Sequence, residues 1–112
     1  MNAMSATQMQ GGFVTVGRVS DFELGTVRVV ELDGRSLCVG RTEDDEWGAV
    51  ENVCTHDGGV LGEGELDGEA VECPRHGGRF DLFSGRVLAL PPVRPVTAYT
   101  ARVVGDEVQV EV

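Results

Sequence analysis

Two short Cys–His elements constrain this chain more than any other feature. The first reads Cys54-Thr55-His56, and sixteen residues later the second reads Cys73-Pro74-Arg75-His76. Together they contain both histidines of the chain and two of its three cysteines. Thiolate and imidazole are the usual protein ligands of transition metals. We therefore expect a fold in which two loops converge on a metal centre, with Cys54, His56, Cys73 and His76 as the ligands.

The order of the four residues bears on the kind of metal. Two Cys and two His can hold either one zinc ion or a two-iron cluster. A zinc finger normally pairs Cys with Cys locally and His with His, because each pair comes from one knuckle or one helix face. Here each element mixes one Cys with one His, which suits two irons lying side by side. A zinc-stabilised binding module stays as the alternative.

The remaining sequence is organised as short apolar–polar alternations between turn signals, which indicates β-strands. The turn signals are Asp33-Gly34, Asp67-Gly68, Ser84-Gly85 and Gly105-Asp106. The predicted strands are Phe13–Val16, Thr26–Leu32, Arg35–Val39, Trp47–Val53, Glu69–Cys73, Gly77–Phe83, Gly85–Leu90, Val96–Val104 and Glu107–Val112. Only Ser20–Leu24 could form a helical turn, capped by Ser20 or Asp21. We predict an all-β antiparallel sandwich or small barrel.

The 112 residues fit one domain. We expect residues 1–12 to be a flexible tail and residues 13–112 to form the domain. The start of the chain has neither the basic residues nor the apolar run of a signal peptide, and no stretch is apolar enough to span a membrane. An odd number of cysteines argues against a disulfide framework. We therefore expect a cytoplasmic protein, with Cys38 as a buried structural thiol.

Charge excludes one class of partner. The net charge is −10, and the nine basic residues are all Arg. Such a chain is a poor nucleic-acid binder, since phosphate contacts need a basic face. The acid excess could steer docking onto a basic protein, or it could serve solubility alone, and net charge does not separate the two. Arg75 and Arg79 could touch such a partner, or pair with the acidic segment Glu63–Glu72.

The segments C-T-H-D-G-G-V and C-P-R-H-G-G-R-F-D resemble the Rieske iron–sulfur family, and are most similar to the small Rieske-type ferredoxins of bacterial ring-hydroxylating oxygenases. The resemblance implies a Rieske-type fold with a cluster-binding subdomain of two ligand loops, and one [2Fe–2S] cluster. Cys54 and Cys73 would bind the inner iron, and His56 and His76 the outer, exposed iron. Leu90-Pro91-Pro92 resembles the proline loop that covers the cluster in this family.

Four positions depart from the Rieske proteins of respiratory complexes. Gly59 and Arg75 stand where those proteins have a loop-linking disulfide, and Gly78 and Phe80 where they have a Ser and a Tyr hydroxyl near the cluster. Hydrogen bonds to cluster sulfur stabilise the reduced state, so their loss lowers the reduction potential. The six acidic residues between His56 and Cys73 act in the same direction. We expect a potential of about −150 mV, at the low end of the Rieske range.

The resemblance implies a function in electron transfer. We expect a carrier, not an enzyme, that is monomeric and passes single electrons from a flavin-dependent reductase to a terminal oxygenase. The alternative is the small Rieske-like subunit of a nitrite reductase or another oxidoreductase complex. A complete oxygenase also needs a 2-His-1-carboxylate iron site, and no further His is present for it.

Overall fold

The computed structural model describes residues 12–56, 58–90, 92 and 94–112. These residues form three antiparallel sheets, which confirms the all-β prediction. Sheet 1 has the order β1-β11-β10, sheet 2 the order β2-β3-β4-β9, and sheet 3 the order β5-β6-β7-β8. The strands are β1 Phe13–Arg18, β2 Thr26–Leu32, β3 Arg35–Arg41, β4 Trp47–Glu51, β5 Glu65–Asp67, β6 Ala70–Glu72, β7 Arg79–Asp81, β8 Val87–Ala89, β9 Ala98–Tyr99, β10 Ala101–Val104 and β11 Glu107–Glu111.

Sheet 2 packs against a hydrophobic core on each of its faces. Successive residues of a strand point to opposite sides of the sheet, so neighbouring residues of β3 enter different cores. On β3, Leu37 and Val39 enter a core shared with Val108 and Val110 of sheet 1. Cys38, between them, enters a second core, which contains the buried residues of sheet 3. All three β3 side chains are fully buried. One central sheet therefore carries a structural half on one face and, on the other, the half that holds the two Cys–His elements.

Leu82 joins sheet 3 to sheet 2. Gly40 on β3 lies directly opposite Gly48 on β4, and the fully buried Leu82 side chain occupies the space that these two glycines leave open. A Cβ built on Gly40 would lie 2.8 Å from Leu82 Cδ2, and one on Gly48 would lie 2.7 Å from Leu82 Cγ. Since real Cβ atoms do not approach so closely, the glycine pair is required for this contact.

Three of the predicted elements are wrong in part. The strand predicted over Val96–Val104 is two strands, because the chain leaves sheet 2 after Tyr99 and enters sheet 1 at Ala101. The alternation continues through this corner because Tyr99 and Ala101 both pack on the same core. The strand predicted over Trp47–Val53 ends at Glu51, where the backbone bends into the first Cys–His element.

The third concerns the helical turn. It is a 3-10 turn at Val19–Asp21, which begins one residue and ends three residues before the predicted Ser20–Leu24, because Phe22 is already buried in the core. Asp21 accepts a 2.9 Å hydrogen bond from the backbone N–H of Arg18, so it caps the turn from its far end.

The structure also has one shifted turn and two elements outside the predicted set, the strand β5 and a second 3-10 turn. The β5–β6 turn falls on Gly68 and Glu69, because Asp67 is still paired with Ala70. A 3-10 turn at Leu61–Glu63 was not predicted. The proposed tail, apart from Gly12, lies outside the described residues. In the described part of the chain, no helix combines the length and apolarity needed to cross a membrane.

Candidate metal centre

The two Cys–His elements form loops with the same backbone frame. In the loop over residues 54–59, the N–H of Cys54 donates to the carbonyl of Gly59 at 2.8 Å, and the N–H of Gly58 donates back to the carbonyl of Cys54 at 2.8 Å. The loop over residues 73–78 repeats both bonds, from Cys73 to Gly78 at 2.7 Å and from Gly77 to Cys73 at 3.1 Å. Each loop is therefore a six-residue turn that begins at its cysteine.

The fifth residue of each loop requires glycine. Gly58 has φ +75° and Gly77 has φ +76°, in the left-handed region that side chains rarely adopt. The histidines differ in place, since His56 is the third residue of the first loop and His76 is the fourth of the second. The two loops thus share one backbone frame, and each contributes one histidine, at the third position in the first loop and at the fourth in the second.

The four predicted ligand residues divide by burial. The Cys54 and Cys73 side chains are 2% and 1% exposed and belong to the same core. His56 and His76 are exposed, and their rings meet edge to face with centroids 5.5 Å apart. Two buried thiols and two adjacent, solvent-exposed imidazoles form a mixed sulfur and nitrogen donor set, which fits an iron–sulfur centre.

The core below the loops is apolar. Val50, Leu61, Val71 and Phe80 are fully buried there with the two cysteines. Cys38 lies in the same core, and burial raises the pKa of its thiol to about 12. Cys38 is therefore a neutral thiol at physiological pH, and its predicted burial is confirmed.

A strap formed by residues 92 and 94–96 links the first ligand loop to the connection between β7 and β8. The hydroxyl of Thr55 donates a 2.7 Å hydrogen bond to the carbonyl of Arg94, and the N–H of Val96 donates to the carbonyl of Gly85 at 2.9 Å. Pro92 is fully buried, whereas Leu90 is 72% exposed. Pro91, the centre of the predicted proline loop, lies outside the described residues.

An ion-pair network closes the second ligand loop at its stem. Glu72 and Arg79 are directly opposed on β6 and β7, one residue before Cys73 and one after Gly78. The Arg79 guanidinium donates to Glu72 at 2.9 Å and to Asp67 at 3.1 Å. The hydrogen bond to Asp67, followed by that to Glu72, raises the pKa of Arg79 above its usual value. Of the two roles considered for Arg79, the structure supports pairing with the acidic segment.

The four departures lie at defined places in this frame. Gly59 and Gly78 are the buried sixth residues of the two loops, and Arg75 is the exposed third residue of the second loop. Phe80 is fully buried in the core and carries no hydroxyl to donate. Phe80 therefore places an apolar ring below the loops.

Sequence reasoning missed two features of the site. The shared backbone frame had a signal in the sequence, since Gly-Gly occupies the fifth and sixth positions of each loop. The contact between Thr55 and the strap had none, because the two residues it joins are 39 positions apart.

Comparison with known proteins identifies relatives of the whole domain. Residues 12–100 match the model of the Rieske [2Fe-2S] domain. The ferredoxin component of a naphthalene 1,2-dioxygenase system from Pseudomonas aeruginosa is 33% identical over 87 residues, which cover 78% of this chain and 83% of the relative.

Two solved structures have closely similar folds. One is the ferredoxin in a complex of reduced oxygenase and oxidised ferredoxin of carbazole 1,9a-dioxygenase, with TM-score 0.82, 35% identity, and coverage of 90% of this chain and 94% of that one. The other is a chain assigned as the small subunit of an NADH-dependent nitrite reductase from Mycobacterium tuberculosis, with TM-score 0.79, 28% identity, and coverage of 88% and 92%.

Proposed function

The chain belongs to the Rieske [2Fe-2S] domain family, and on that basis we propose that Cys54, His56, Cys73 and His76 are the four ligands of its one cluster. The thiols lie in the apolar core and the imidazoles lie side by side at the surface. Each loop contributes one of each kind from the same backbone frame. When bound, a Rieske cluster accepts and releases a single electron.

The exposure of the two imidazoles is the observation that supports a role as carrier. A redox centre exchanges electrons with another protein only if part of it lies near the surface, and His56 and His76 are both exposed. The chain is an electron-transfer ferredoxin of the kind found in multicomponent dioxygenase systems. It delivers electrons to a terminal ring-hydroxylating oxygenase and receives them from a flavin-dependent reductase, as a monomer in the cytoplasm.

The carrier has a low reduction potential, about −150 mV. Phe80 and Gly78 offer no hydroxyl to the cluster, and Phe80 fills the core below it. A midpoint above about +100 mV in protein-film voltammetry would refute this reading.

Absorption and electron paramagnetic resonance spectra test the ligand assignment. The purified protein is expected to be brown and to give the rhombic Rieske signal when reduced. A colourless protein with one bound zinc would refute the cluster. In His76→Cys, a cluster that still assembles should have a changed spectrum and a lower potential. Cys38→Ala is the matched control, since it removes a buried thiol from the same core and should leave the spectrum unchanged.

Anaerobic mixing tests the carrier role. The dithionite-reduced protein, freed of excess dithionite, is mixed with an oxidised terminal oxygenase of a naphthalene dioxygenase system, and reoxidation of the cluster is followed by absorbance. We expect reoxidation within seconds, slowed by added salt if acidic residues steer docking. Reoxidation no faster than in buffer alone would contradict the proposal.

A second candidate function is that of a fixed small subunit in a nitrite reductase. The observation that favours it is the fold similarity to the Mycobacterium tuberculosis chain. Size-exclusion chromatography with light scattering, run on protein purified from its native source, separates the two. A monomer of 11.9 kDa supports the mobile carrier, and a stoichiometric complex with a larger chain supports the subunit.

A further inference from the structure

We propose that Arg79 is a positioning residue for electron transfer, because its guanidinium closes the stem of the second ligand loop and offsets the charge of two carboxylates there. The inference rests on the proposed ligands and concerns a residue that is not among them. Arg79 follows the loop directly, and Glu72 precedes it.

The placement of Arg79 is set by the sheet. On β6 and β7 the paired side chains of Val71 and Phe80 are buried in the core below the loops. The next pair, Glu72 and Arg79, therefore projects from the opposite face of sheet 3. Protein covers about two-thirds of the Arg79 side chain, which is 36% exposed. A guanidinium that binds two carboxylates at once has a defined orientation, unlike a single exposed ion pair.

The two ligand loops differ in this respect. The first loop has an apolar residue on each side, Val53 and Val60, and is tied to the strap through Thr55. The second loop has its stem closed by charge. The second loop thus has an ion pair at its stem, and a change at Arg79 is expected to act on the adjoining Cys73 and His76.

The positive charge of the Arg79 guanidinium is expected to raise the reduction potential of the cluster. A bound cluster of two ferric irons, two sulfides, two thiolates and two neutral imidazoles would have no net formal charge, and its one-electron-reduced form would have one negative charge. Nearby carboxylates oppose the added charge and a nearby guanidinium favours it. Without Arg79, the carboxylates of Asp67 and Glu72 would have no counter-charge from this side chain at the stem of the second ligand loop.

Protein-film voltammetry of four cluster-loaded proteins tests this proposal. Arg79→Gln should lower the equilibrium constant for one-electron reduction about three- to tenfold, and the difference should shrink as salt is added. Arg79→Lys, which keeps the charge, should stay within about twofold of the wild type. Arg18→Gln is the matched control. It removes the same charge from an ion pair with Asp106 on sheet 1, where both side chains are 65% exposed, and it should also stay within about twofold.

A further variant covers the case in which Arg79→Gln does not load a cluster. Asp67→Asn leaves the pair between Arg79 and Glu72 in place, and it should raise the same equilibrium constant. Shifts in the same direction in Asp67→Asn and Arg79→Gln, or an Arg79→Gln shift no larger than that of Arg18→Gln, would overturn the proposal. A wild-type protein without a Rieske spectrum would instead refute the ligand assignment, so the two failures are distinguishable.

Discussion

Replacing Leu82 with alanine is expected to loosen sheet 3, and with it the second ligand loop, from sheet 2. The Leu82 side chain is fully buried against Gly40 and Gly48, and its removal leaves a cavity between the sheets. A buried Leu→Ala change of this kind costs about 3 kcal/mol. At about 4 °C per kcal/mol for a domain of this size, the melting temperature should fall by about 12 °C.

The glycines provide a double-mutant test of this packing. Gly40→Ala alone should cost about 1–3 kcal/mol, because its Cβ would lie 2.8 Å and 3.0 Å from the two Leu82 methyl groups. In the Leu82→Ala background those contacts are gone, and the same change should be neutral or slightly stabilising. Gly48→Ala is the control. Its Cβ also lies 2.9 Å from the Leu82 backbone oxygen, which Leu82→Ala does not remove.

The assay is thermal unfolding of the cluster-loaded proteins at one scan rate, followed by circular dichroism and by loss of the cluster absorbance. We expect a coupling of at least about 1 kcal/mol between Leu82→Ala and Gly40→Ala, above the scatter of about 0.3–0.5 kcal/mol for independent sites. The coupling with Gly48→Ala should be smaller. Additive losses for Gly40 and Leu82 would show that the side chain does not occupy the space opened by the glycine.

Substitutions at three other positions, Cys38, Gly85 and Thr55, have defined outcomes. The Cys38 thiol has a pKa of about 12 in the folded protein, whereas in the unfolded chain it loses its proton above about pH 9. The free energy of unfolding is therefore unaffected by Cys38 below pH 9, and it falls by up to about 1.4 kcal/mol per pH unit between pH 9 and 12. Thermal unfolding of Cys38→Ala should lack this part of the pH dependence. Gly85→Ala, with φ +77° and a Cβ 1.9 Å from the Val96 carbonyl oxygen, should cost more than about 3 kcal/mol. Gly105→Ala is the control, since Gly105 has φ +63° but open space around it, and the change should cost about 1–2 kcal/mol. Equal melting temperatures of Gly85→Ala and Gly105→Ala would contradict the packing of the strap against Gly85. Thr55→Val should lose about 1 kcal/mol with faster bleaching of the cluster, Thr55→Ser should not, and equal bleaching rates would rule out the hydroxyl contact.

Local signals predicted the elements that are local in origin. The hairpin formed by Thr26–Leu32 and the following strand has its turn at Asp33 and Gly34, as predicted, because φ is positive at both residues and Asp-Gly tolerates it. The grouping of Cys and His into two elements likewise predicted which side chains the fold brings to one end. Both predictions depended on residues close together in the chain.

The features that sequence could not supply depend on distant partners. Alternation through residues 96–104 is continuous, so nothing in it marks the change of sheet at Thr100, which is set by pairing with β4 before it and β11 after it. Gly40 and Gly48 look like strand interruptions until Leu82 is placed against them. The link between Arg79 and Asp67 spans 12 residues and rests on sheet 3 being formed.

The repeated six-residue frame of the ligand loops separates loop shape from ligand choice. Hydrogen bonds from the first and fifth residues fix the backbone, and they do not involve the third and fourth side chains. A histidine can therefore move by one place, from the third position in one loop to the fourth in the other, without a change of architecture. Side chains at the third and fourth positions, which contact a metal or a partner, can therefore be exchanged by selection or design while the loop backbone stays the same.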